Sequence, residues 1–168
     1  TEVLLDNQLT YSIYPSPLGE MLLCATQNAF ITASFTVRLP QHVNVSENAV
    51  TKAAKQQLEA YFTARLSVFE LPLAPNGTAF QQQVWQALRQ IPYGTTTSYK
   101  KLAQTLGNEK LIRAVGTANG SNPIAIIIPC HRVIGSGGQL VGYAGGTDRK
   151  LKLLQLEQVP AFTQPSLF

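Results

Sequence analysis

The sequence predicts an α/β (α+β) protein in two parts: a small N-terminal domain of β-sheet and helix over residues 1–75, and a mainly helical C-terminal domain over residues 78–168. Three observations lead there. Short strand signals separated by turns fill the N-terminal part, followed by one amphipathic helix. A cluster of turn formers, ELPLAPNG (Glu70–Gly77), then makes the best linker candidate in the chain. Beyond it the apolar spacing is helical and the charge changes sign. Residues 1–79 carry 4 basic and 6 acidic side chains, whereas residues 80–168 carry 9 and 3.

The strands come first. TYSIY (Thr10–Tyr14) runs into the turn-forming PSPLG. EMLLCAT (Glu20–Thr26) and AFITASF (Ala29–Phe35) flank Gln27 and Asn28, which suits a hairpin. Cys24 lies within the second strand and reads as a small buried hydrophobe. SENAVTKAAKQQLEAYFTARL predicts a helix over 46–66, capped by Ser46, with Val50, Ala54, Leu58, Tyr61 and Leu66 as its apolar stripe.

In the second part, TAFQQQVWQALRQI (Thr78–Ile91) puts Phe80, Val84, Trp85 and Leu88 on one face, and Pro92 and Gly94 stop it. SYKKLAQTLG opens on a capping serine, Ser98, and closes on Gly107. NEKLIRAVGTANG follows at once, with Asn108 as cap and Leu111, Val115 and Ala118 facing inward. Two short helices joined by a glycine turn match a helix-turn-helix. A last helix, TDRKLKLLQLE (Thr147–Glu157), follows the glycine-rich GSGGQLVGYAGG.

Composition excludes several classes. The longest aliphatic run, Ile124–Ile128, is far short of the roughly 20 residues a membrane span needs. The opening TEVLLDNQLTYSIY lacks a basic region followed by an apolar core, and TQPSLF at the other end carries no lipidation signal. Two cysteines far apart, Cys24 and Cys130, make no disulfide framework, so a reducing cytoplasm is expected. With no Cys-x-x-Cys and no paired histidines, no metal site is expected.

The net +6 of the second part points to a polyanion partner, although a solubilising surface accounts for the same charge. The second helix of the pair offers Lys110 and Arg113 on a face otherwise made small by Ala114, Gly116 and Thr117. Small residues let a backbone approach a duplex, and one arginine can enter a groove or fill a gap in the stack. Lys100 and Lys101 suit phosphates. Close packing of the two helices on another element is the plainer account of the same pattern.

IIIPCHRVIGSGG (Ile126–Gly138) raises a sharper question, because one cysteine and one histidine stand side by side at the end of an apolar run. A thiol attacks as thiolate, with an ordinary pKa of roughly 8.5, so a base is needed. His131 is adjacent, and a bridging water serves if the side chains point apart. His131 then needs an acceptor on its other ring nitrogen. Glu157 is the candidate, in the last turn of its helix where a negative charge opposes the macrodipole. Asn122, in GSNPI, is a turn former or a brace for the turn leading into the strand that carries the cysteine. Tyr99, Tyr143 and Ser136 are further polar groups able to reach a ligand.

NPIAIIIPCHRVIGSGG, then GYAGG and LLQLE, resemble the O6-alkylguanine-DNA alkyltransferases, also called methylated-DNA–protein-cysteine methyltransferases, and the bacterial Ogt type more than the mammalian form. IPYGTTTSYKKLA and RAVGTANGSNPI match the family's helix-turn-helix in order and spacing. The likeness is strongest from Thr78 to Glu157. It implies a ribonuclease H-like N-terminal domain and a winged helix-turn-helix in the C-terminal one. It also implies roles: Cys130 as alkyl acceptor, His131 as its base through water, Glu157 as the residue orienting His131, and Asn122 as the holder of the active-site turn. Tyr99 would crowd a phosphate, help rotate the nucleotide out and support the departing guanine. Arg113 would fill the vacated stack. Val133, Tyr143 and Ala144 would line the base pocket. Beside the resemblance, the residues themselves offer Ser136 to the same ligand and Lys100, Lys101, Asn108, Lys110, Ala114 and Thr117 to DNA. The implied function is direct-reversal repair: a single, irreversible transfer from O6-alkylguanine, with O4-methylthymine a second candidate, in a flipped nucleotide of double-stranded alkylated DNA. No cofactor is expected, and the expected form is a monomer in the bacterial cytoplasm, at the nucleoid when repairing. The mammalian zinc site is not expected, since Cys24 and His42 alone cannot make one, nor is the metal-binding module that precedes this region in some bacterial relatives. The alternative is a recognition protein that binds alkylated DNA without transfer. A cysteine hydrolase and a sequence-reading regulator are more distant options.

Overall fold

The computed structural model describes residues 9–163. The readings made on residues 1–8 and 164–168 lie outside the described residues. The chain divides into two compact units: one reaches to Asn76 and takes in Pro123–Ala125, and the other comprises Gly77–Asn122 and the chain from Ile126 on.

The first unit is built on three antiparallel strands, β1 (Thr10–Ser16), β2 (Gly19–Ala25) and β3 (Phe30–Ser34), in the order β1-β2-β3. Ser16 pairs with Gly19, so Pro17 and Leu18 form a two-residue hairpin turn, and Gly19 takes the positive φ of 124° that only glycine adopts freely. Central β2 is buried without interruption from Met21 to Ala25, and Cys24 is part of this core. The expected linker is partly docked: Phe30 N–H donates to Pro72 O (2.7 Å) and Ala74 N–H to Phe30 O (2.9 Å), which sets Leu73 beside β3. Pro123–Ala125 lies along the same strand, with Ala33 N–H donating to Pro123 O and Ala125 N–H to Ala33 O, both at 2.9 Å.

Helix α1 (Ala49–Phe62) packs on β1 and β2 through Val50, Ala54, Leu58 and Tyr61. It is shorter than the predicted 46–66, and its cap is Asn48, not Ser46. Asn48 Oδ1 accepts from Thr51 N–H, and Thr51 Oγ1 accepts from Asn48 N–H, both at 2.9 Å. The physical reason is long-range: Ser46 N–H donates to Tyr11 O (2.7 Å), which holds the chain extended along β1 until Asn48. Leu66 falls beyond the helix end and is only half-buried.

In the second unit α2 (Ala79–Leu88) begins at a reciprocal Thr78–Gln81 capping box and buries Val84, Trp85 and Leu88. Phe80, expected on that face, is only half-buried. Trp85 Nε1–H donates to Ala118 O (2.8 Å), which ties α2 to the helix that carries Ala118. α3 (Tyr99–Thr105) is capped by Ser98, and Gly107 turns the chain at φ 95°. The predicted helix over 108–120 is divided: a 3₁₀ turn, Glu109–Leu111, precedes α4 (Ile112–Gly120), because Asn108 Oδ1 accepts from Lys110 N–H and so caps the 3₁₀ turn. Val115 and Ala118 are buried, and Leu111 half-buried. Strands β4 (Thr97–Ser98) and β5 (Val133–Ile134) pair in parallel, and α5 (Thr147–Leu156) follows. Among the described residues, no helix is long and apolar enough to cross a membrane.

The caps give a direct comparison. Asn48→Ala is expected to destabilise the protein by about 1–2 kcal/mol and Ser46→Ala by less than about 0.5 kcal/mol, measured by urea denaturation. Equal losses would put the helix start at Ser46.

Candidate active site at Cys130

The apolar run before the cysteine is not a strand. Ile126 has φ 72°, an uncommon conformation for a β-branched residue. At Pro129 the chain folds tightly, with Cys130 N–H donating to Ile128 O (2.8 Å). Cys130–Arg132 then form a 3₁₀ turn, so Cys130 stands at a turn and not on the expected strand. Sequence reading takes an aliphatic run for a strand, but burial here is achieved by a coiled segment. Asn122 Nδ2–H donates to Ile128 O (2.8 Å) and Asn119 Nδ2–H to Cys130 O (3.4 Å), bracing the turn from both sides.

Cys130 is 6% exposed. Burial pushes its thiol up from the ordinary value, while the Asn122 amide and the Lys150 charge pull it down less strongly. His131 is fully buried, and its Nε2 lies 2.6 Å from Glu157 Oε2. A carboxylate only accepts, so Nε2 carries the proton and Nδ1 carries the lone pair. Nδ1 is buried and has no hydrogen-bond partner among the described residues. Burial lowers the His131 pKa, and Glu157 opposes that shift without reversing it. Glu157 follows the last turn of α5 and is 2% exposed. Burial pushes its carboxyl up, but His131 and Arg132 together bring it down to about 2. Arg132 grips both oxygens, Nε to Oε1 at 2.8 Å and Nη2 to Oε2 at 3.1 Å, and Gly94 N–H adds a contact to Oε1 at 3.4 Å.

The remaining pocket candidates surround this cluster. Val133 is fully buried on β5. Tyr143 is 8% exposed with an unpartnered hydroxyl, and burial raises its pKa well above the ordinary value. Tyr99 is half-buried and donates to Val141 O (3.1 Å). Lys150 Nζ donates to the same carbonyl (2.7 Å), and burial brings this lysine down to about 8. Gly142, at φ 67°, has no room to spare: a Cβ there would stand 3.2 Å from the Tyr99 hydroxyl. Ala144 and Ser136 are exposed. Ser136 joins Ser98, Lys100, Lys101 and Gln104 around a surface groove.

On the helix pair, Arg113, Ala114 and Thr117 are exposed, as are Asn108, Lys110, Lys100 and Lys101. Lys100 Nζ pairs with Glu109 at 3.3 Å, so its charge is shared before any ligand arrives. Gly116 is not open to solvent throughout; a Cβ there would lie 3.8 Å from the Tyr99 ring. Among the described residues no group of three or more His, Cys, Asp or Glu could hold a metal ion.

Two family models match the chain. Residues 9–75 fit the ribonuclease-like domain of 6-O-methylguanine DNA methyltransferase, and residues 79–159 fit its DNA binding domain. This chain belongs to the 6-O-methylguanine DNA methyltransferase family. Methylated-DNA–protein-cysteine methyltransferases of Methanosarcina acetivorans and Mycobacterium leprae are 47% and 46% identical to it. The first match covers 88% of this chain and 97% of the relative, the second 91% and 94%. The crystal structure of Mycobacterium tuberculosis OGT in complex with DNA is similar with a TM-score of 0.82 at 43% identity, covering 89% of this chain and 92% of that one. The O6-methylguanine methyltransferase of the same organism gives 0.80 at 40% identity, with 95% and 98% covered.

Sequence reasoning gives no role at this turn to Lys150 or Arg132, and ties Asn119 only to the choice of alkyl group. Lys150 occupies the inner face of α5 with Leu153, Leu154 and Glu157; a lysine at an apolar-face position is the signal that was available. Asn119 is 1% exposed and touches the Cys130 carbonyl. Arg132, read only as part of a motif, is 6% exposed and holds Glu157.

Because the folded pKa of Glu157 lies below its ordinary 4.5, its contribution to stability is complete above that value and fades as pH falls through about 2. Glu157→Gln leaves Arg132 buried without its counterion, and a loss of about 3–5 kcal/mol is expected at pH 7. The gap to the parent should narrow at pH 3, because the unfolded chain has by then taken up the proton that the folded carboxylate, held down to about 2, still largely lacks. Urea denaturation at both pH values checks it; a constant gap would contradict the assignment.

Proposed function

We propose that the protein repairs DNA by direct reversal, moving the alkyl group of O6-alkylguanine in duplex DNA onto Cys130 Sγ, once per molecule, with the target nucleotide flipped out of the stack. The observation that carries this reading is the buried Cys130 followed by a histidine whose Nε2 is taken by Glu157 and whose Nδ1 is a buried acceptor without a partner. The names of the relatives, and a solved relative bound to DNA, support the same substrate.

The chemistry follows from the residues. His131 Nδ1 takes the thiol proton through a bridging water, which overcomes the burial that holds Cys130 protonated at rest. Sγ then attacks the alkyl carbon: the S–C bond forms, the C–O6 bond breaks, and its electron pair goes to the guanine. That developing charge is met by donors, the Tyr99 hydroxyl and the backbone N–H of Ala144. The product is a thioether that water does not cleave, so each molecule acts once. Val133 and Tyr143 line the pocket for the base, with Ser136 at its rim.

Extrusion of the base costs a few kcal/mol. Arg113, exposed on α4 beside Ala114 and Thr117, fills the vacated stack and offsets part of that cost. Lys101, Lys110 and Asn108 meet phosphates, and Lys100 does so by exchanging its exposed pairing with Glu109, which is worth little in water. Affinity then depends on salt more than on sequence. The protein acts as a monomer in the bacterial cytoplasm.

Intact mass tests the reading. Incubation with duplex DNA bearing O6-methylguanine should add one methyl in place of one proton and stop there, and Cys130→Ala should gain nothing. Binding without a mass gain would favour a recognition protein, and repeated turnover of an ester a hydrolase. Arg113→Ala should slow transfer from duplex DNA at least about tenfold, given the energy of base extrusion, while leaving alkylation by free O6-benzylguanine unchanged. Equal rates on duplex DNA would remove the stack-filling role.

A further inference from the structure

We infer that Arg132 is a positioning residue for the transfer: by holding the Glu157 carboxylate in a two-pronged ion pair, it keeps His131 an uncharged base with its accepting nitrogen free. The consequence for catalysis rests on the transfer reading above; the effect on His131 does not.

The argument starts from charge. Glu157 is a buried anion, and a buried anion is neutralised by whatever cation reaches it. Among the described residues, His131 reaches it at 2.6 Å and Arg132 at 2.8 and 3.1 Å. Arginine keeps its charge at every working pH, and its planar fork matches both carboxylate oxygens at once. With Arg132 in place the anion is already compensated, and His131 is required only as a neutral donor through Nε2–H. Without Arg132, the nearest group able to supply a positive charge is His131 itself. An imidazolium carries a proton on both nitrogens, so Nδ1 would lose the lone pair that makes it a base.

The surroundings point the same way. Arg132 is held from its far side, since Nη1–H donates to Ile91 O (2.8 Å) and the guanidinium carbon lies 5.7 Å from the centre of the Tyr93 ring. The charged and titratable groups that bear on His131 come from three places. On its own turn are Cys130 and Arg132. From α5 and its end come Lys150 and Glu157, and the Tyr143 and Tyr93 hydroxyls lie near the same carboxylate. Of these, Arg132 and Lys150 disfavour a second proton on the imidazole and Glu157 favours it. Lys150 is turned to the Val141 carbonyl, and among the described residues it is Arg132 that makes the arginine–carboxylate pair with Glu157.

Nitrogen-15 labelling of histidine in the intact protein gives the test, because His42 and His131 are the chain's 2 histidines and are easily told apart. In the parent, His131 should be neutral and protonated at Nε2 at pH 7. In Arg132→Met it should be imidazolium at pH 7, and in Arg132→Lys, which keeps the charge, it should stay neutral. Transfer from O6-benzylguanine followed against pH should show the acid limb of Arg132→Met displaced upward by at least about one unit, as removal of a neighbouring charge does, with the rate recovering at alkaline pH and the limb restored in Arg132→Lys. A rate lowered by one factor at every pH, or a neutral His131 in Arg132→Met, would overturn the proposal. So would a parent His131 that is charged or protonated at Nδ1 at pH 7, a measurement that needs no variant to fold. If the parent shows the expected ring state but accepts no alkyl group, the transfer reading fails and the role of Arg132 toward His131 stands.

Discussion

The second unit depends on one buried carboxylate. Glu157 joins three pieces of chain: the turn at Ile91–Gly94, the Cys130–Arg132 turn and the end of α5. Left unpaired at that depth it would cost several kcal/mol. Paired as it is, it ties all three together. Its contact with Gly94 also explains why a glycine stands there, since the backbone has φ 79° and a Cβ would lie 3.2 Å from the Glu157 carbonyl oxygen. The placement that looks unfavourable along α5, a negative charge at the helix's negative end, is resolved by cations from elsewhere in the chain.

A second constraint works against the first. Burial stabilises the turn but holds the Cys130 thiol in its protonated form. Among the described residues, the same closed surroundings leave His131 Nδ1 and the Tyr143 hydroxyl without hydrogen-bond partners. Unsatisfied buried groups cost stability and are rare in native proteins. Such atoms around one thiol, beside an Ile126 at positive φ, leave this turn with unmet hydrogen-bonding capacity. Stability and reactivity therefore trade against each other within a few residues.

Much of the fold was legible because its causes are local. The strand signals, the Pro-rich turn after β1 and the capping residues Ser98 and Asn108 act over a few residues, and the sequence predicts each to within a residue or two. The errors share one cause. Ser46 lost the cap to Asn48 because Ser46 is hydrogen-bonded to Tyr11, on β1. The run before Cys130 predicts a strand wrongly, because an aliphatic stretch says that it is buried, not how it is folded. ELPLAPNG was read as a linker, yet Leu73 is docked beside Phe30.

The site divides along the same line. Sequence by itself determined the adjacency of Cys130 and His131, the glycine-rich loop after them, and the charge that sets the second part of the chain against the first; these are covalent facts. It also singled out Glu157, since a charge against a helix dipole asks for a partner. Only the tertiary structure decided that the partner is shared between His131 and Arg132, that Lys150 points inward, and that Nδ1 is left open. Those outcomes depend on which side chains meet inside a low-dielectric interior. There, a charge is settled by the nearest opposite charge in space, across 25 residues of sequence between Arg132 and Glu157.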